Sequence, residues 1–208
     1  MDTSAVIEVL TVGHSTHSAE AFLALLTRAE VTAVADVRTS PFSRHIPQFN
    51  RETLRDSLRS KGIAYVYLGK ELGGRPTQPE CYSNGVADYE KMASTETFAA
   101  GLERVLTGAA KYRIALMCAE QDPIECHRCL LVGRALVGKG VGVRHILSSG
   151  KVVGHEQVEG RLLDISGRNG DDFFASRDER LSIAYREHSR KVAYAEPLPD
   201  GSRPMAAE

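Results

Sequence analysis

The sequence has no apolar run near the roughly 18 residues that cross a bilayer, so no membrane-spanning segment is expected. It has no excess charge of either sign. Its 26 lysines and arginines stand against 27 aspartates and glutamates, for a net charge of -1. That disfavours a protein that coats nucleic acid by bulk charge but leaves room for a local basic patch. Cysteine is scarce, at four in 208 residues, which is too few to suggest a disulfide framework. Asp2, and no basic segment before a long apolar stretch, stands near the start, so no signal peptide is expected. Reduced cysteines then point to the cytoplasm. No glycines follow Gly13 at the offsets of a dinucleotide fingerprint, and there is no Walker loop. No internal repeat is visible.

What is present is ordinary globular composition, 42% hydrophobic and 25% charged, in a chain long enough to bury one core. β-branched and apolar runs predict strands at 6–12, 33–37, 63–68, 112–118 and 143–147. Helical stripes lie between them: Phe22, Leu25, Leu26 and Ala29 after a Ser18 cap; Leu54 and Leu58 after Asn50; Phe98, Leu102, Val105 and Leu106 after Ser94. Asp122, with Pro123 and Glu125 behind it, predicts a helix running to about Val137. A short helix near 155–163 and a last one over 180–194 follow, the latter with Leu181, Ala184, Tyr185 and His188 on one face. Strand and helix alternate, which predicts an α/β fold. It has a mostly parallel sheet of about five strands with helices on both faces, a Rossmann-like three-layer sandwich. Residues 6–165 form this domain, 166–194 a loop and helix extension, and 195–208 a proline-containing tail expected to be disordered.

In such a sheet the loops after the strands open on one edge, where ligands bind. Here they carry Gly13, His14 and Ser15; Asp36, Arg38 and Ser43; Gly73 and Gly74; and Cys118, Glu120, Cys126, His127 and Arg128. Alternation along the chain puts Asp36 and Arg38 on one side, so that Asp36 can orient Arg38 or His14. Cys118 ends a buried strand, as many core cysteines do. Facing the amide dipoles of a following helix and Arg128, its thiol pKa is expected to fall. Thiol phosphatases and sulfurtransferases are similar in ingredients, but Cys118 and Arg128 stand too far apart for their compact loop.

Cys118, Cys126 and His127, with Cys129, are plausible metal-ligand types. On a continuous helix, however, adjacent Cys126 and His127 point about 100° apart and cannot easily share an ion, so no metal is assigned. A basic stripe of Arg51, Arg55 and Arg59 is most simply a solvated helix face; beside an anion-friendly edge it could also guide nucleic acid or phosphate.

Taken together, TVGHSTHS at 11–18, DVR with PFSR at 36–44, LG and LGG within 68–74, and CAE…CHR at 118–128 resemble the domain of unknown function 488 family over roughly residues 6–150. The resemblance implies a compact α/β domain with a polar pocket built from those motifs, and no reaction. The residues lead to an enzyme, a hydrolase or transferase, acting on a phosphorylated small molecule, nucleotide or nucleic-acid base. Cys118 would be nucleophile or polar wall, His14 and Glu120 proton carriers, Asp36 an orienter, and Arg38 and Arg128 anion clamps. Ser15, Ser43, Gly73, Gly74, Cys126 and His127 would line the substrate site. The alternatives are a non-catalytic nucleotide or nucleic-acid binding module and a Cys/His metal protein.

Overall fold

The computed structural model describes residues 7–170 and 174–197. The chain starts with β1 (Glu8–Gly13), α1 (Ala19–Arg28), β2 (Ala33–Asp36), α2 (Arg51–Arg59) and β3 (Ala64–Tyr67). It continues through α3 (Gly69–Leu72), a hairpin of β4 (Tyr82–Ser83) and β5 (Val86–Ala87), α4 (Tyr89–Ala93) and α5 (Glu96–Ala109). It ends with β6 (Ile114–Cys118), α6 (Arg134–Gly138), β7 (Gly142–Ile146), β8 (Val152–Gly154), α7 (His155–Ile165) and α8 (Arg177–Val192).

Six strands form one sheet in the order β3-β2-β6-β1-β7-β8. The first five are parallel, and β8 joins β7 antiparallel as an edge strand. One sheet face packs Leu10, Val12, Val34, Ala115 and Met117 against α1 and α2 through Phe22, Leu26, Leu54 and Leu58. The other packs Val9, Ala35 and Leu116 against Phe98, Leu102, Leu130, Leu136, Leu162 and Ala184 from the later helices. The fold is therefore a mostly parallel α/β sandwich with helices on both faces, as the alternation predicts.

The switch point falls where β6 lies between β1 and β2. The chain leaves β1 and β2 toward one face and β6 toward the other, so a crevice opens at their carboxyl ends. Parallel pairing continues past the strands there, with His14 N donating to Cys118 O and Ser15 N to Ala119 O, both at 2.9 Å.

Several local expectations need correction. Residues 69–87, for which the sequence predicts no helix or strand, hold α3 and the β4–β5 hairpin. Thr95, not Ser94, caps α5, its side chain accepting from Phe98 N, because α4 occupies the preceding residues. Asn50 precedes α2, but its Oδ1 accepts from Ser43 N at 2.7 Å and makes no cap bond. β8 is a sixth strand. The residues expected as a tail begin ordered: Ala195 bridges Val86, and Glu196 N donates to Gly85 O. Residues 198–208 of that tail lie outside the described residues, as does residue 6 of the first expected strand. No helix among the described residues is long and apolar enough to cross a membrane.

Leu116 lies in the central strand with no exposure. Leu116→Ala is expected to cost about 3 kcal/mol through lost transfer energy and an unfilled cavity. Thermal unfolding should show a Tm lowered by roughly 10 °C.

Candidate functional site

The expected helix from Asp122 to Val137 is broken. Asp122 does cap it, its side chain accepting from Ile124 N, but only one 3-10 turn forms over Pro123–Glu125. Cys126 is then extended, with φ -144° and ψ 137°. A π-helical turn runs over Arg128–Gly133 and passes into α6. π turns of this kind recur at functional sites. The break removes the geometric objection to Cys126 and His127 acting together, since they no longer share a regular helix.

Cys118, Glu120, Cys126 and His127 bring their donor atoms within 4.8 Å of one another. His127 Nε2 lies 2.9 Å from Val37 O; a carbonyl only accepts, so this nitrogen carries the proton. His127 Nδ1 faces Cys118 Sγ at 3.7 Å and Cys126 Sγ at 3.9 Å. Cys126 Sγ also lies 2.9 Å from Glu120 Oε2. Glu120 is exposed as a residue, yet its carboxylate end packs on Cys126; the other three are buried.

The expectation for Cys118 is reversed. Burial, followed by the neighbouring Cys126 sulfur, pushes its thiol well above the ordinary range. Cys126 is the more acidic thiol. Burial opposes ionisation, but the Cys118 hydrogen bond and the charges of Arg128 and His127 outweigh it. Burial and the Cys126 charge raise the Glu120 carboxyl. His127 is raised because Cys126 and Glu120 outweigh its burial.

A second group stands behind Arg38. Asp36 takes Arg38 Nε at 2.9 Å and Nη2 at 2.7 Å, and Tyr65 Oη donates to the same carboxylate at 2.8 Å. Arg38 Nη2 also donates to Phe49 O at 2.9 Å, and Nη1 to His14 Nε2 at 3.1 Å. Four of the five guanidinium N–H groups are thus used, leaving one on Nη1. His14 donates from Nδ1 to Ser15 O at 2.9 Å and stacks on Phe49 with centroids 4.3 Å apart. Burial, then the Arg38 charge working against the Ser15 bond, lowers its pKa to about 4.

Arg38, Gly74, Cys118, Glu120, Cys126 and His127 line one cleft of about 250 Å³. Arg75, which follows the two glycines on the same edge, also lines it, as do Tyr89 and Tyr194, which the sequence reading missed. Arg75 is exposed and stacks over the Tyr194 ring at 4.8 Å.

The other expected residues lie elsewhere. His14 and Asp36 sit behind Arg38. Ser15 accepts the His14 bond through its carbonyl, and Ser43 Oγ accepts from His45 N and Ile46 N within its own loop. Gly73 lines an adjoining cleft that shares Thr39 and Arg75. Arg128 is wholly buried and donates to Glu120 O at 2.7 Å and Gln121 O at 3.0 Å, so its guanidinium grips the loop. Gly13 is needed for close approach: a Cβ there would lie 1.9 Å from Glu120 O. A Cβ on Gly74 would lie 2.9 Å from the His127 ring. Arg51, Arg55 and Arg59 each lie within ion-pair distance of Glu52 or Asp56 on their own helix.

The family described as Domain of unknown function DUF488 matches residues 18–135. The chain belongs to this family. The match includes the Arg38 loop, the glycine loop and the Cys118–Arg128 segment, so all the cleft's walls except Tyr194 and its neighbours come from family sequence. No curated protein and no solved structure matches the chain.

A second buried group, away from the cleft lining, was also missed. Thr11 Oγ1 meets His145 Nδ1 at 2.8 Å, His145 Nε2 meets His155 Nδ1 at 3.0 Å, and His155 Nε2 meets Tyr185 Oη at 2.8 Å. Burial lowers His155 to about 4, and burial with the neighbouring His155 lowers His145 further below the ordinary range.

His14 and His155 bind fewer protons than they do in the unfolded chain between their folded pKa of about 4 and the ordinary 6.5. Stability therefore rises with pH across that window and is lost as pH falls through it. Denaturant titrations should show a decline on the order of a few kcal/mol from pH 6.5 to pH 4. His14→Gln should flatten part of that slope; an unchanged slope would refute the assignment to His14.

Proposed function

We propose that the protein is a hydrolase or transferase acting on a phosphorylated small molecule or nucleotide held in the Arg38–Cys126 cleft. The observation that carries this reading is the convergence of two thiols, an imidazole and a carboxylate within 4.8 Å in a cleft that also holds Arg38 and Arg75. A passive anion binder needs only amides and cations; proton carriers and sulfur suit bond-making.

Arg38 would receive a phosphoryl oxygen through its remaining N–H, with no reorganisation of its side chain, since Asp36, Phe49 and His14 already hold it. Arg75 would provide the second positive charge from the exposed wall. Glu120 stands between solvent and the sulfurs and would carry the proton. Cys126 and His127, rather than Cys118 alone, would form the reacting centre, with His14 and Asp36 as positioning residues. All four cysteines are unpaired, which suits a reducing compartment, and we place the protein in the cytoplasm. A nucleic-acid partner along α2 is the lesser reading, because its arginines already face carboxylates.

Inorganic phosphate and a panel of nucleoside monophosphates and sugar phosphates should raise the Tm of the protein. Arg75→Ala should weaken that binding roughly tenfold to a hundredfold, the loss of a charge-assisted hydrogen bond. Turnover, read by mass change of the same panel, should fall at least about a hundredfold in Cys126→Ser with the Tm kept within a few degrees. A panel in which no compound shifts the Tm or is converted would sink the reading.

A further inference from the structure

The arrangement of the two thiols around His127 has a tighter geometry than a proton relay requires. His127 is oriented by one strong bond, Nε2–H to Val37 O at 2.9 Å. Its remaining ring nitrogen is the nearer one to both sulfurs, 3.7 Å from Cys118 Sγ, which lies 4.0 Å from Nε2, and 3.9 Å from Cys126 Sγ, so a small turn of the ring would aim it between them. A tetrahedral zinc ion with Zn–S of about 2.3 Å and Zn–N of about 2.0 Å sets the sulfur-to-nitrogen edge at about 3.5 Å. The observed separations of 3.7 Å and 3.9 Å are a few tenths of an ångström longer, so an ion would draw the donors slightly inward.

The surroundings fit as well. Metal-bound histidines characteristically donate their second ring nitrogen to a carbonyl or carboxylate, as His127 does to Val37. Arg128 N donates to Cys126 Sγ at 3.4 Å, a bond suited to a thiolate ligand. The donor set of two sulfurs and one imidazole is soft and nitrogenous, which favours zinc over magnesium or calcium. The three donors are buried, while Glu120 enters from the exposed mouth with its oxygen 2.9 Å from Cys126 Sγ.

We propose that Cys118, Cys126 and His127 bind one zinc ion in the floor of the cleft, with Glu120 as a fourth, exchangeable ligand on the solvent side. The extended conformation of Cys126 is what permits this set, because it turns adjacent residues toward one point. The proposal deepens the cleft reading and shares its residues, but zinc binding itself does not depend on turnover. Among the described residues, Cys129, His145 and His155 form the other group with donors within 4.8 Å. It offers three ligands and lines none of the clefts described above, so it is the control site.

The test is elemental analysis of the full chain purified without chelator and after dialysis against zinc. About one zinc per chain is expected, falling to a small fraction in Cys118→Ser and His127→Ala and unchanged in Cys81→Ser and Cys129→Ser. Cobalt(II) exchanged into the unaltered protein should give thiolate-to-cobalt charge-transfer bands and the intense visible absorption of a tetrahedral site. That readout holds even where a variant fails to fold. Less than about a tenth of an equivalent of zinc in the unaltered protein, with no cobalt bands, overturns the proposal. So does zinc that survives loss of Cys118 and His127 but not of Cys129. A metal-free protein that still converts a phosphorylated compound removes the zinc and leaves the cleft reading. A zinc protein that converts none of the panel removes the cleft reading and leaves the zinc.

Discussion

The cleft depends on a buried cation. Arg128 has no exposure, and burying a guanidinium costs free energy that its bonds offset only in part, since Nε has no partner among the described residues. It bonds the carbonyls of Glu120 and Gln121, which folds the loop after β6 back over the end of β1. That fold-back requires Gly13, since any side chain there would occupy the space of the Glu120 carbonyl. The loop in turn holds Glu120 against Cys126. One buried charge thus sets the backbone that gathers the sulfur, carboxylate and imidazole groups, and its field favours the ionised form of Cys126.

Arg38 shows the opposite use of the same chemistry. Its charge is also buried, but it is matched by the Asp36 carboxylate, with Tyr65 and Phe49 closing the network. Burial keeps His14 neutral, so it accepts from Arg38 without repelling it. The two arginines divide the work: one organises backbone, and the other presents a fixed donor to the cleft. Such preorganisation is valuable where charge must be met without rearrangement.

The strand-to-helix break at Cys126 is where local rules yielded to tertiary ones. Asp122, Pro123 and Glu125 make a good helix start, and the first turn forms. The chain then leaves helical geometry because Cys126 and His127 have partners in other parts of the chain: the Glu120 carboxylate and the Val37 carbonyl. Local propensity is worth a few tenths of a kcal/mol per residue, less than a buried hydrogen bond to a charged group. The hidden edge strand β8 and the hairpin of β4 and β5 escaped detection for another reason. Strands of two or three residues carry too little alternation to read.

Long periodic segments were legible in the chain itself. β-branched runs and three-to-four-residue apolar stripes determined the α/β class, the parallel core of the sheet and the gathering of His14, Arg38, Gly74 and Cys118 at one edge. Each depends on the contrast between buried and exposed positions, which sequence records directly. Only the tertiary structure decided which of these residues line the cleft, that Ser15 and Ser43 serve their own loops, that Arg128 grips backbone, and that Cys126 rather than Cys118 is the acidic thiol. Those outcomes rest on distances between loops far apart in the chain, and on the desolvation and fields such packing creates. No residue's identity encodes them in isolation.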